Sequence, residues 1–64
     1  MRIKDIHLGQ RFRSDTGFVW EVTRITAMEK APKHVVIVDV EDPTTSKIIS
    51  EAVLLEPSRF QPAG

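Results

Sequence analysis

His7 and His34 are the only two histidines in this 64-residue chain, and it contains no cysteine. A histidine is the side chain whose ordinary pKa lies nearest neutrality, so general acid–base chemistry would start here. A histidine-based metal site needs paired ligands at short spacing or several carboxylates converging on the ion. Twenty-six residues lie between His7 and His34, with no such pairing. Without a thiol there is no disulfide framework, thiolate nucleophile or cysteine zinc site. Ser14 and Ser50 could each be written into a hydrolytic triad with a histidine and an aspartate, but no nucleophile elbow or glycine-rich oxyanion loop surrounds either one. A chain this short also leaves little room for a substrate pocket of ~300 Å³. The expectation is a protein without catalytic residues, metal or cofactor.

The charges form a pattern that the totals hide. Nine basic and nine acidic residues give a formal charge of zero. Residues 1–33 carry seven basic and four acidic side chains, whereas residues 34–64 carry two and five, so the halves stand at +3 and −3. Bulk binding to polyanions is therefore not expected; a local basic face stays open as the alternative to a solvated, salt-bridged barrel wall. Arg11, Arg13 and Arg24 would lie on strands, with Lys30 and Lys33 on an adjoining loop, an arrangement able to track a phosphate backbone. Glutamate neutralisation of Arg11 by Glu21 and the lack of an interleaved exposed aromatic weigh against it. The aromatic residues Phe12, Phe18, Trp20 and Phe60 are expected to fill a core rather than to display a ligand ladder. With no tyrosine and one tryptophan, proline-rich peptides are not the expected ligands.

The elements that would position these residues are mostly strands. Asp5 could cap a helical turn through Ile6, His7 and Leu8, ended by Gly9. Gln10-Arg11-Phe12-Arg13-Ser14 and Phe18-Val19-Trp20-Glu21-Val22 flank Asp15-Thr16-Gly17, a three-residue hairpin loop with glycine last. Pairing Ser14 with Phe18 sets Phe12 opposite Trp20 and Arg11 opposite Glu21, so both faces agree on one register. The second strand runs to about Ala27, but its apolar phase changes after Val22, which predicts a bulge near Thr23-Arg24. A loop from Met28 to Lys33 follows. His34 to Val40 is dense in β-branched residues and apolar on both faces, as a central strand is. Glu41 to Thr45 reads as a turn, and Ser46 to Ser50 returns with Val40 against Ser46 and Val38 against Ile48. Ser50 then caps a helical turn through Leu55 that Pro57 stops. Ser58 to Gln61 closes the fold, and residues 62–64 form a frayed tail.

Leu8-Gly9-Gln10-Arg11-Phe12, Gly17 to Val22, His34 to Val38 and Leu54 to Phe60 stand in an order that resembles the Src-homology-3-like small barrel. Within that fold the chain resembles stand-alone, uncharacterised bacterial proteins of comparable length. The resemblance spans nearly the whole chain and implies an all-β, five-stranded small barrel over residues 1–64, with residues 1–9 as an N-terminal segment and a short helical turn before the last strand. It implies no particular function.

No apolar stretch approaches the ~20 residues needed to cross a bilayer, and no secretory pattern opens the chain. The cytoplasm is the expected compartment. On the surface, Val35 and Ile37 would form an apolar patch for a protein partner or a second copy, unless Ile3, Ile6 and Leu8 cover it. The expected function is a non-catalytic protein-interaction or adaptor module, with a small RNA- or DNA-binding barrel as the alternative.

Overall fold

The structure is a computed structural model describing residues 6–26 and 33–63. Five strands and one short helix follow in order: β1 (Arg11–Ser14), β2 (Val19–Thr26), β3 (His34–Asp39), β4 (Ser46–Ser50), α1 (Glu51–Leu54) and β5 (Phe60–Pro62). All strand pairs are antiparallel, in the spatial order β4-β3-β2-β1-β5. The fold is the all-β class expected, with the helical turn before the last strand. The outermost strands are β4 and β5. The capping role of Asp5, covering by Ile3, strand continuation at Ala27, the loop residues 28–32 with Lys30, and Gly64 lie outside the described residues.

Cross-strand chemistry sets the first hairpin. Phe12 pairs with Trp20 and Arg11 with Glu21, as the alternation of faces requires. The Ser14 N–H donates to the Phe18 carbonyl at 2.8 Å, closing the turn, and Gly17 sits at φ 93°. An L-residue pays for that left-handed backbone, and a Cβ at Gly17 would meet nothing within 4 Å. Strain is thus the whole cost of Gly17→Ala, which is expected to lower stability by ~1–2 kcal/mol in a urea titration. Further along β2 the register shifts between Val22 and Arg24, and the Thr23 hydroxyl donates to the Val36 carbonyl at 3.3 Å. This bulge returns Ile25 to the face that holds Trp20 and Val22.

Two other segments depart from expectation. At the N-terminal end, His7 to Gln10 forms a turn rather than a helical one. The Gln10 N–H donates to the His7 carbonyl, the Gln10 side chain accepts from the His7 N–H, and Gly9 takes φ 85°. Between β3 and β4 the register is two residues away from the expected one: Val38 pairs with Ser46, and Val36 with Ile48. Aspartates explain the difference. Asp39 accepts from the Glu41 N–H, and Asp42 accepts from the hydroxyls of Thr44 and Thr45, which ties residues 40–45 into a wider turn. The shift is even, so each side chain keeps its face.

Ser50 caps α1 as expected, accepting the Val53 N–H on its Oγ at 3.2 Å. Beyond α1, the Arg59 and Phe60 N–H groups both donate to the Glu56 carbonyl. That tight turn delays the last strand to Phe60–Pro62. Pro62 pairs with Phe12, and the Ala63 N–H donates to the Arg11 carbonyl, so these two residues are held rather than frayed.

Ile6, Phe12, Trp20, Val22, Val35, Ile37 and Leu54 form the buried core, with Ile25, Ile49, Leu55 and Phe60 packed against it. Val35 and Ile37 are fully buried, so they cannot be the docking patch expected of them. Because β3 is apolar on both faces, alternation alone did not say which face the core would take. Ile6 packs within that core, whereas Leu8 is exposed.

Candidate functional site

Arg11, Arg13 and Arg24 occupy the sheet face turned away from the core. Alternation about buried Phe12 puts Arg11 and Arg13 on that outer face of β1, and the register places Arg24 beside Val36 and Ile48. Glu21 interrupts the group, for Arg11 Nε lies 3.1 Å from its Oε1, with both side chains partly exposed. Such a pair contributes ~0–1 kcal/mol, but it neutralises the arginine nearest the centre of the expected nucleic-acid face. Arg13, Arg24 and Lys33 are exposed. Lys33 stands just ahead of β3, where its carbonyl accepts the Glu51 N–H.

The hydroxyls considered as nucleophiles hold local structure. Ser14 Oγ lies 2.8 Å from Thr16 Oγ1 and donates to the Phe18 carbonyl, and Ser50 caps α1. Among the described residues no three histidine, aspartate or glutamate side chains gather where a metal ion could sit.

A concave surface among the described residues lies at one end of the inner face. It is an open cleft of about 910 Å³, bounded by the β1–β2 turn, the β3–β4 turn and the start of β5. This overturns the expectation that so short a chain lacks room for a sizeable cavity. Phe18, Trp20 and Phe60 give the cleft an aromatic wall, with Ile49 and Val53 nearby. The sheet register explains the grouping. Trp20 lies on the inner side of β2 with Phe18 just ahead of that strand, Ser14 pairs with Phe60, and Lys47 and Ile49 lie on the inner side of β4. Phe18 is 53% exposed and Phe60 half-buried, whereas Phe12 and Trp20 are buried. Two aromatic residues expected in the core therefore stand at the cleft.

Charges of both signs rim this apolar wall. Lys47 Nζ lies over the Trp20 ring, 5.1 Å from its centroid, a cation–π contact. Arg59 Nε lies 3.3 Å from Glu56 Oε2. Asp15, Asp39 and Asp42 line the cleft as well, Asp15 beside Arg59, whose carbonyl accepts the Asp15 N–H at 2.8 Å. Hydrogen bonds from the Thr44 hydroxyl, the Thr45 hydroxyl and the Thr44 N–H hold the Asp42 carboxyl below its ordinary pKa of 3.8, against a smaller opposing effect of desolvation. The folded-state pKa is the lower one, so this contribution to stability is present above the unfolded value. It is lost as pH falls through the folded value. Thr45→Val removes one donor, 2.8 Å from Asp42 Oδ2. A carboxyl ¹³C titration is expected to show the Asp42 midpoint moving upward in that variant.

The comparisons add no relative on which to transfer a role: no protein-family model, curated protein or solved structure matches the chain. Among the described residues no helix is long and apolar enough to cross a membrane.

The cleft residues carried a weak signal in the sequence. Phe18 follows the hairpin glycine directly, which places an inward-facing aromatic beyond the last covered row of the sheet. The contribution of Lys47 depended on the β3–β4 register, which the aspartate-rich turn displaced.

Proposed function

We propose that this domain is a non-catalytic, cytoplasmic protein-interaction module, and that its cleft receives a short extended segment of a partner protein. The observation that carries this reading is the aromatic wall of the cleft, where exposed Phe18 and half-buried Phe60 flank buried Trp20, with carboxylates on the rim. An exposed aromatic in a concave site can bury large apolar area at little entropic cost, as binding hot spots do. The resident cations are already engaged, Lys47 by Trp20 and Arg59 by Glu56. Asp15 has no side-chain partner among the described residues, and Asp42 remains ionised well below neutrality. The unmet charge of the cleft is thus negative, which favours a segment bearing lysine or arginine beside a bulky apolar residue.

A non-catalytic role is supported by the lining itself. Neither histidine belongs to it, and Ser14, Asp39 and Asp42 are occupied by hydrogen bonds that shape the turns. The strand order and the helical turn before β5 support kinship with Src-homology-3-like small barrels. Selection from a random peptide display library against the immobilised domain tests the function. Enrichment of peptides pairing a basic residue with a bulky apolar one is the expected result. Enrichment of acidic peptides alone, or of none, would overturn it. So would salt-sensitive RNA or DNA binding that Arg13→Glu abolishes, which would instead support the outer basic face.

A further inference from the structure

We infer that β4 is a self-pairing edge through which two copies of this chain associate. The hydrogen bonds at its two ends show which backbone groups are spare. The Asp39 N–H donates to the Thr45 carbonyl at 3.0 Å, and the Glu51 N–H to the Lys33 carbonyl at 2.9 Å. In an antiparallel ladder the bonded pairs alternate, so Lys47 and Ile49 bond to β3 between those ends. The N–H and C=O groups of Ser46 and Ile48 and the N–H of Ser50 therefore point away from the sheet, whereas the Ser50 carbonyl is taken up by the first turn of α1, which Ser50 caps.

The two edges of the sheet are not equivalent. β5 spans three residues and ends in Pro62, features that blunt an edge. β4 spans five residues without proline or bulge. It does carry Lys47, and an edge lysine commonly discourages pairing. Here, however, the lysine belongs to the inner face, where its amine lies over the Trp20 ring. The residue displayed beside the spare backbone groups is Ile48, at 72% the most exposed of the large hydrophobic residues.

The segment Ser46-Lys47-Ile48-Ile49-Ser50 carries serine at both ends and isoleucine at its centre. A two-fold axis at Ile48 sets Ile48 against Ile48 of the second copy and Ser46 against its Ser50. Lys47 then faces Ile49 rather than another lysine, so no like charges meet across the seam. On the outer face, Ile48 joins Val36 of its own chain to make one apolar row across the junction. The axis is perpendicular to the sheet, so both clefts open on the same side. The contact is an isologous one, and small beside the ~1,200–2,000 Å² of a stable interface, so the dimer is reversible.

Light scattering on the eluting full chain, over a wide range of loading concentrations, tests this directly. The mass is expected to rise from 7.2 kDa toward twice that value with concentration. Ile48→Lys is expected to stay monomeric throughout, with an unchanged circular dichroism spectrum, whereas Leu8→Lys, altered at an exposed site off this edge, still dimerises. Amide exchange at Ile48 is expected to slow as the wild-type chain dimerises. A wild-type chain monomeric at every concentration would overturn the inference. So would a dimer that survives Ile48→Lys, or one in which the Ile48 amide gains no protection.

Discussion

Phe12→Ala is expected to cost about 3–5 kcal/mol, enough to leave most of the chain unfolded at room temperature. Phe12 is 1% exposed and lies on β1, the strand joining the main sheet to β5. Its register partners are Trp20 on one side and Pro62 on the other. Truncation leaves a cavity bordered by both neighbours, and antiparallel ladders on either side resist collapse into it. With no disulfide to hold the remaining structure, the loss falls on a single small core whose total contribution is roughly 3–5 kcal/mol. Urea denaturation followed through Trp20, the sole tryptophan, measures it. A midpoint close to that of the wild-type chain would mean that the core does not depend on this layer.

Six residues along, the same substitution is expected to do the opposite. Phe18→Ala removes a half-exposed ring at the cleft and should change stability by no more than ~0.5 kcal/mol, as surface substitutions do. Its effect falls on binding. If the ring packs against the apolar residue of the bound segment, truncation costs ~2 kcal/mol, roughly a thirtyfold loss of affinity. Phe18→Asp should cost more, because it removes the apolar surface and leaves a carboxylate against that residue. Titration of the selected peptide by fluorescence anisotropy reads both variants. An affinity equal to wild type in Phe18→Ala would remove the aromatic wall from the binding surface.

The contrast between Phe12 and Phe18 also marks what was legible in the sequence. Alternation tells which face a side chain takes, and it placed Phe12, Phe18 and Trp20 together on the inner side. It does not tell how far along that face the cover extends. Phe12 and Trp20 are buried, whereas Phe18 stands exposed at the cleft. The first hairpin was readable because aromatic and ionic pairing chose the same register. The bulge at Thr23-Arg24 was readable because the apolar phase changed while the strand continued.

Other features depended on contacts too distant for local pattern to reveal. The hydrogen bonds of Asp39 and Asp42 widened the β3–β4 turn and moved its register by two residues. With both faces of β3 apolar, the choice between Val35 and Ile37 or Val36 and Val38 as the core row fell to the elements packing over them. Ile6 and Leu54 settled it by joining the inner row. The charge asymmetry along the chain was real, but folding set Glu21 among the arginines of the outer face. It also placed Asp15 at the cleft, while Arg13, Arg24 and Lys33 stay exposed elsewhere.

Chemical-shift mapping of the amide and indole resonances, with a peptide that pairs a basic and a bulky apolar residue, tests the central claim most directly. The account predicts the largest changes at Phe18, the Trp20 indole, Lys47 and Phe60, with Asp15 and Thr45 following. Changes centred instead on Arg11, Arg13 and Arg24, with the Trp20 indole unmoved, would contradict it.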